Sequence, residues 1–318
     1  MKYWTGYPHI LDTRQFKERV ILEELFQTAN EMRRRCEEEK PVDIAKGKIL
    51  ISLFYEPSTR TRFSFESAMT RLGGNYISTE NAPAFSSAAK GESLEDTIRV
   101  VSDYGDIIVL RHPERGSAER AVKYARIPLI NAGDGDNQHP TQSLLDIYTI
   151  NREIGRIDGL KVGFMGDNKK SRTVRSLAYL LAQQKQNELY FISPGPLNIE
   201  NDIKDWFKNK ATETGVKFYE IDEPKEILPE LDVLYVTRLQ LERYKDVEGI
   251  EKIKDAYNKF RLNKEMINHM KSDAIVLHPL PRVNEIDKEI DSDPRARYFE
   301  QSKNGVYMRM ALIKYIIK

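Results

Sequence analysis

One cysteine in 318 residues is too few for a disulfide within the chain or for a cysteine zinc site. Cys36 lies in the helical pattern TANEMRRRCEEEK, a poor setting for a nucleophile, and a reducing compartment fits. Charge of one sign is lacking too: 50 Lys and Arg stand against 49 Asp and Glu, a net charge of +1. Bulk electrostatics therefore point to neither nucleic acid nor a membrane surface as partner, and any basic site must be local. No apolar run approaches a membrane span, and the opening MKYWTGYPHILDTRQF lacks the basic, apolar, small-residue order of a signal peptide. A soluble, cytoplasmic protein is expected. Several motifs are missing as well. There is no G-x-x-x-x-G-K-[ST], Gly163 to Asp167 does not complete G-x-G-x-x-G, and neither H-E-x-x-H nor G-x-S-x-G occurs. These absences predict no metal, no cofactor and no covalent intermediate, leaving binding, positioning and charge stabilisation. Internal repeats and low-complexity tracts are also absent.

What is present organises around Ile49 to Leu72. An apolar run ends at Tyr55, Pro57 breaks it, and Ser58, Thr59, Arg60, Thr61 and Arg62 arrive where a helix with apolar Phe65, Ala68, Met69 and Leu72 begins. The first turn of a helix leaves N–H groups unpaired at the positive end of the macrodipole, so an anion is favoured there. Guanidinium forks and hydroxyls at that spot suit a phosphate. The alternative is an N-cap serine with solvated arginines.

The length suits two domains. Asp12 or Thr13 can cap a first helix with Phe16, Val20, Leu25, Ala29 and Met32 inward. After the opening unit come a short strand at Tyr76 and Ile77, a small-residue loop from Thr79 to Gly91, and a helix from Glu92 to Tyr104. A strand at Ile107 to Leu110, a helix at Ser117 to Arg126 and a strand at Leu129 to Ala132 follow. Beyond a helix from Pro140 to Ile154 the alternation resumes, with strands at Lys161 to Met165, Glu188 to Ile192, Val216 to Tyr219, Val233 to Val236 and Ala274 to Leu277. Helical patterns separate them near Val174 to Ala182, Ile203 to Lys208 and Lys264 to Lys271, and a last helix is expected from Gly305 to Lys318. Arg238 to Lys259 is too polar to assign an element. Such alternation predicts an α/β fold of two doubly wound parallel-sheet domains joined by interdomain helices, with ligands beyond the C-terminal strand ends. The expected division is residues 1–144, completed by a C-terminal helix at 296–318, and residues 145–295.

Three of the five histidines precede proline, at His112, His139 and His278, so each sits on extended backbone at an element end. His139 follows the glycine loop Gly133 to Gln138, and Pro140 opens a helix that carries Gln142 on the same turn, a flexible loop ending in a plausible polariser of a carbonyl. Arg111 ends a strand at the same edge. Lys90 lies on the loop Ser86 to Gly91. In the second half, Arg172 follows Met165-Gly166-Asp167, and Arg238 and Gln240 follow another strand. Two arginines at strand ends could clamp a dicarboxylate, although each taken alone reads as surface charge.

Phe54 to Arg62 with Ser64-Phe65-Glu66 resembles the carbamoyl-phosphate signature of the aspartate and ornithine carbamoyltransferases. His139-Pro140-Thr141-Gln142, Val236 to Gln240 with Glu242-Arg243, and His278 to Val283 with Glu285-Ile286 resemble the aspartate branch. The match runs in order from about Phe16 to Ile317. The family implies that Ser58, Thr59, Arg60 and Thr61 hold the phosphate of carbamoyl phosphate, with Arg111 reaching phosphate and carbonyl oxygen. His139 and Thr61 would polarise the carbonyl, Gln142 would bind the carbamoyl amide, and backbone at Pro279 and Leu280 would close on the bound pair. Ser86 and Lys90 would enter a neighbouring subunit's site, which implies at least a trimer, and Arg172, Arg238 and Gln240 would bind aspartate. The implied catalytic set is Arg60, Thr61, Lys90, Arg111, His139 and Gln142. The substrates would be carbamoyl phosphate and L-aspartate, in de novo pyrimidine biosynthesis. A homotrimer with shared sites is what the resemblance implies, and the sequence leaves open whether a separate regulatory chain binds. Ala89 and Ser171 depart from the usual Lys and Gly. Two rival readings stay open: a carbamoyltransferase for another amine such as ornithine, and a binding subunit without turnover.

Overall fold

A computed structural model of the chain describes residues 8–80, 91–244 and 250–317. The chain divides into two compact units, Met1–Leu145 with Lys303–Lys318, and Asp146–Ser302. Each is built on one parallel sheet.

In the first unit, α1 (Arg19–Glu37) precedes β1 (Ile49–Phe54), α2 (Thr59–Arg71), β2 (Asn75–Glu80), α3 (Leu94–Val101), β3 (Ile107–His112), α4 (Ser117–Val122), β4 (Leu129–Asp134) and α5 (Pro140–Ile154). The strand order is β2-β1-β3-β4, all parallel. The central strands β1 and β3 are covered on both faces and are mostly apolar, the edge strand β4 is buried although it carries Asn131 and Asp134, and the other edge strand, β2, is largely exposed. Ile51, Leu53, Ile108 and Leu110 pack under Leu94, Ile98, Ala118 and Ala121.

In the second unit, β5 (Lys161–Met165), α6 (Arg172–Ala182), β6 (Glu188–Ile192), α7 (Asn201–Thr214), β7 (Lys217–Ile221), β8 (Val233–Val236), α8 (Ile250–Tyr257), α9 (Lys264–Asn268), β9 (Ile275–Leu277) and α10 (Tyr298–Ile316) follow. The order is β7-β6-β5-β8-β9, again parallel throughout. Its core joins Met165, Leu234, Val236 and Val276 to Leu262, Met266 and Ile267. Helices α5 and α10 each contribute residues to both units. The α/β class with parallel sheets agrees with the expectation from sequence.

Two local expectations are corrected. The first helix is interrupted: Asp12 caps a short 3-10 turn, Thr13–Gln15, whose Gln15 side chain returns to the Asp12 N–H, and α1 starts afresh at Arg19. The new start resets the helical phase, so Val20 is 66% exposed rather than inward. The last helix begins at Tyr298, and Gly305 is interior to it rather than its boundary; a Cβ there would lie 3.2 Å from Leu145 Cδ2 and 2.5 Å from Arg309 Nη1. The stretch left unassigned contains α8 and two 3-10 turns, Leu241–Arg243 and Asn258–Phe260. Among the described residues no helix is long and apolar enough to cross a membrane.

The strand order reverses between β1 and β3 in the first sheet, and between β5 and β8 in the second. In open parallel sheets the crevice for a ligand opens beyond the C-terminal strand ends at such a reversal.

Candidate functional site

At the first reversal, β1 ends at Phe54 and α2 opens at Thr59 with Ser58 as N-cap. The Ser58 side chain makes no capping hydrogen bond, so the hydroxyl is not committed to closing the helix end. Thr59 and Arg60 are exposed and Thr61 is buried. Arg62, grouped with them on sequence, is diverted: its Nη1 donates to Ser78 Oγ at 3.1 Å and its Nη2 pairs with Glu80 at 3.1 Å. Those contacts tie α2 to β2.

Across the reversal, Arg111 is the register partner of Phe54. It is not a solvated charge: its Nη2 lies 3.2 Å from Glu56 Oε1 and its Nη1 donates to the Ala132 carbonyl at 3.4 Å. His112 pairs with Asp134 one strand further on. Burial lowers the His112 pKa, and its Nδ1 accepts the Glu114 N–H at 3.1 Å, so this imidazole is a neutral turn-holder.

The glycine loop before His139 is pinned rather than flexible. The Asp134 carboxylate accepts from Gly116 N–H at 2.9 Å, Asn131 Nδ2 at 2.9 Å, Asn137 Nδ2 at 3.0 Å and Gln138 N–H at 3.1 Å. Gly135 has φ +54°, and a Cβ there would come within 2.8 Å of the Arg115 nitrogen, so side-chain-free backbone is required. The loop delivers His139 and Gln142, both buried, to the first turn of α5, with Thr141 Oγ1 3.4 Å from His139 Nδ1. Three segments of the sheet's C-terminal edge thus carry Ser58 to Thr61, Arg111, and His139 with Gln142.

At the second reversal, Gly166 follows β5 and Thr237 follows β8. Gly166 has φ +126°, and a Cβ would stand 2.2 Å from the Thr237 carbonyl oxygen. That approach brings the two loops together. Asp167 then bridges them: its carboxylate accepts the Gln240 N–H at 3.2 Å, the Tyr244 hydroxyl at 2.9 Å and the Lys170 N–H at 3.0 Å. Burial raises the Asp167 pKa, and these three donors offset that only in part. Ser171 caps α6 through the Val174 N–H, and Arg172 on the first turn is only 5% exposed, unlike the surface charge it resembles in sequence. Arg238 is half-buried, with Nη1 donating to Leu239 O at 3.2 Å, and Gln240 is buried. Beyond β9, Pro279 and Leu280 are half-buried, and Leu280 holds φ +54°.

Ser86 and Lys90 lie outside the described residues. Among the described residues no cluster of three or more His, Cys, Asp or Glu could hold a metal ion. Sequence reasoning gave no role to Asp167, Tyr244 or Glu285. Asp167 carried a signal in its place after a strand beside a glycine, and Glu285 stood in the motif that carries the resemblance.

Two family descriptions match the chain: "Aspartate/ornithine carbamoyltransferase, carbamoyl-P binding domain" over residues 8–152, and "Aspartate/ornithine carbamoyltransferase, Asp/Orn binding domain" over residues 158–316. The chain is 51% identical over 308 residues to aspartate carbamoyltransferase 3, chloroplastic, of Pisum sativum, covering 97% of this chain and 77% of that protein. It is 48% identical over 310 residues to the aspartate carbamoyltransferase catalytic subunit of Methanocaldococcus jannaschii, covering 98% of each. Among solved structures, aspartate transcarbamoylase from Trypanosoma cruzi in complex with carbamoyl phosphate and aspartate superposes with a TM-score of 0.92 at 35% identity, over 97% of this chain and 96% of that one. With both domain descriptions and near full-length relatives in agreement, this chain belongs to the aspartate/ornithine carbamoyltransferase family and is a carbamoyltransferase.

Proposed function

We propose that the chain transfers the carbamoyl group of carbamoyl phosphate to the amine of L-aspartate, giving N-carbamoyl-L-aspartate and phosphate in de novo pyrimidine biosynthesis. The observation that carries this reading is the division of chemistry between the two sheet edges. One has an uncapped helix start with hydroxyls, Arg60 and Arg111 for a phosphate; the other has Arg172 and Arg238 for two carboxylates. An acceptor with a cationic side chain, such as ornithine, calls for an acidic pocket instead. The named relatives and the Trypanosoma cruzi complex support the same choice.

In the proposed reaction the aspartate amine attacks the carbonyl carbon directly, a tetrahedral oxyanion forms and phosphate leaves. Ser58, Thr59, Arg60 and Thr61 hold the phosphate. Arg111, His139 and Thr61 meet the developing oxyanion, where preformed donors count for most in a site that excludes water. Gln142 and the backbone at Pro279 and Leu280 hold the carbamoyl amide, and Arg172, Arg238 and Gln240 hold aspartate. The departing phosphate is basic enough to take the amine proton, so no protein base is needed. Orientation of the two substrates supplies much of the remaining acceleration. Ser86 and Lys90 are assigned to a neighbouring copy's site, which makes the working form a homotrimer.

Incubation with labelled carbamoyl phosphate and a panel of amino-acid acceptors tests the reading. Label should pass to aspartate alone. Transfer to ornithine would select the rival enzyme, and tight binding of a bisubstrate phosphonate with no product from any acceptor would select a binding subunit.

A further inference from the structure

His278 and Glu285 form a buried pair whose hydrogen bonds define both ring nitrogens. Leu280 N–H donates to His278 Nδ1 at 2.8 Å, so Nδ1 carries no proton and the hydrogen resides on Nε2. Nε2–H then donates to Glu285 Oε1 at 2.7 Å. The other oxygen, Oε2, accepts the backbone N–H groups of Val283 and Asn284, each at 3.0 Å. The two side chains are 1% and 0% exposed. Burial raises the Glu285 pKa, but the His278 contact and the backbone donors outweigh it, and the group stays below the ordinary glutamate range. The backbone of His278 is anchored as well, through its own amide. His278 N–H donates to Gln301 Oε1 at 2.8 Å, Gln301 Nε2 to Asp146 Oδ1 at 2.6 Å, and Tyr235 Oη to Asp146 Oδ2 at 2.9 Å.

One imidazole–carboxylate pair therefore fastens the segment from Pro279 to Asn284 at both ends. Its near end is Leu280, a non-glycine residue at φ +54°. A β-carbon residue in that region persists only where its surroundings hold it. With its N–H consumed by His278, Leu280 offers a ligand its carbonyl oxygen, an acceptor suited to an amide N–H donor.

We propose that His278 and Glu285 are positioning residues for carbamoyl transfer: together they fix the Leu280 backbone so that this segment presents acceptors to the carbamoyl amide. The role rests on the reaction assigned above, so its test includes a readout that needs no substrate.

The test compares His278→Asn, His278→Ala and Glu285→Gln in the full chain. An asparagine Oδ1 can take the place of Nδ1 and accept the Leu280 N–H, whereas alanine cannot. Hydrogen exchange at the Leu280 amide, measured without substrate, should be slow in the parent and in His278→Asn, and at least ~10-fold faster in His278→Ala. With carbamoyl phosphate, His278→Ala should lose about 100-fold in kcat/KM, the scale of an ångström-sized misplacement. His278→Asn should recover at least ~10-fold of that loss. Binding of inorganic phosphate alone should stay within about twofold in every variant, because the residues assigned to phosphate belong to the other unit. If His278→Ala does not fold, Glu285→Gln reads the same linkage: its single oxygen cannot serve both Nε2–H and the two backbone donors, and Leu280 exchange should rise. A folded His278→Ala with parent-like exchange or parent-like kinetics overturns the proposal, as does equal impairment of the asparagine and alanine variants. A parent chain inactive with carbamoyl phosphate overturns the assigned reaction instead.

Discussion

Asp167 accepts a hydrogen bond from the Gln240 backbone at 3.2 Å, joining the loop after β5 to the loop after β8. Gln240 and Arg238 are thereby held relative to Arg172 by a residue that itself faces no ligand in the proposed reaction. Asp167→Ala should release that tie and leave the Tyr244 hydroxyl without its acceptor. We expect KM for aspartate to rise and kcat/KM to fall about 100-fold, from misplacement alone. Stability should drop by about 1–3 kcal/mol, the cost of unsatisfied buried groups. Steady-state kinetics with thermal unfolding checks this. An unchanged aspartate KM in a folded variant would remove Asp167 from the positioning scheme.

The same junction depends on Gly166. A β-carbon 2.2 Å from the Thr237 carbonyl oxygen cannot be accommodated without moving backbone, and φ +126° is itself unfavourable to any L side chain. Gly166→Ala should cost at least ~3 kcal/mol, at the severe end of single substitutions. Gly155→Ala is the control: φ is +82° but nothing lies within 4 Å, so only the local backbone penalty of about 1 kcal/mol applies. Comparable unfolding midpoints for the two variants would contradict the steric account.

How much of this was legible in the sequence depends on the range of the interaction. Strands β5, β6 and β8 fall at the residues the apolar runs indicate, because a strand covered on both faces has to be apolar throughout. The helix start at Ser58 was legible for the same local reason. What escaped depends on how loops fold back. Arg62 and Arg60 are two residues apart in one motif, yet Arg62 turns to Ser78 and Glu80 on the neighbouring strand. Asp134 gathers four donors from three segments, and nothing in a linear reading separates it from Asp136 nearby. The pairing of His278 with Glu285 needs the path of the intervening loop.

His9 makes a pH dependence that sequence also could not announce. Its Nδ1 accepts the Leu129 N–H at 3.0 Å, and burial brings its pKa down to about 4. Protonation turns both ring nitrogens into donors and breaks that bond. Between the unfolded value near ~6.5 and the folded value the unfolded chain binds more protons, so stability rises with pH there and falls on acidification. The loss should reach about 1–3 kcal/mol by pH 4. His9→Asn, which can accept the same N–H without titrating, should flatten the profile between those limits. Unfolding followed across that range is the measurement, and a parent curve with the slope of the variant would discard the idea.

Arg60 is exposed at the start of α2, so Arg60→Ala should abolish transfer while changing stability by no more than ~0.5 kcal/mol. Mixing it with inactive Lys90→Ala chains tests whether sites are shared. If Lys90 acts in a neighbour's site, mixed assemblies contain some sites with both residues intact, and activity should return. Persistently dead mixtures would confine each site to one chain, and an unfolded Arg60→Ala would make Arg60 structural.

In the proposed reaction Arg111 would meet the phosphate with a carboxylate already beside it. Its Nη2 is 3.2 Å from Glu56 Oε1, so a phosphate approaching that guanidinium competes with Glu56 and is repelled by it. The Glu56 side chain is 31% exposed, so solvent screens this pair on the carboxylate side and keeps its worth near ~1 kcal/mol. Glu56→Gln removes the charge and keeps the shape. Inorganic phosphate should then bind about fivefold more tightly, and the gain should shrink as salt is raised because exposed charges are screened. Arg111→Ala in the same background should erase the gain, since the repulsion acts through the anion that Arg111 draws in. Calorimetric titration of phosphate into the three chains decides the matter: weaker binding to Glu56→Gln would mean that the carboxylate orients Arg111 for the anion rather than competing with it.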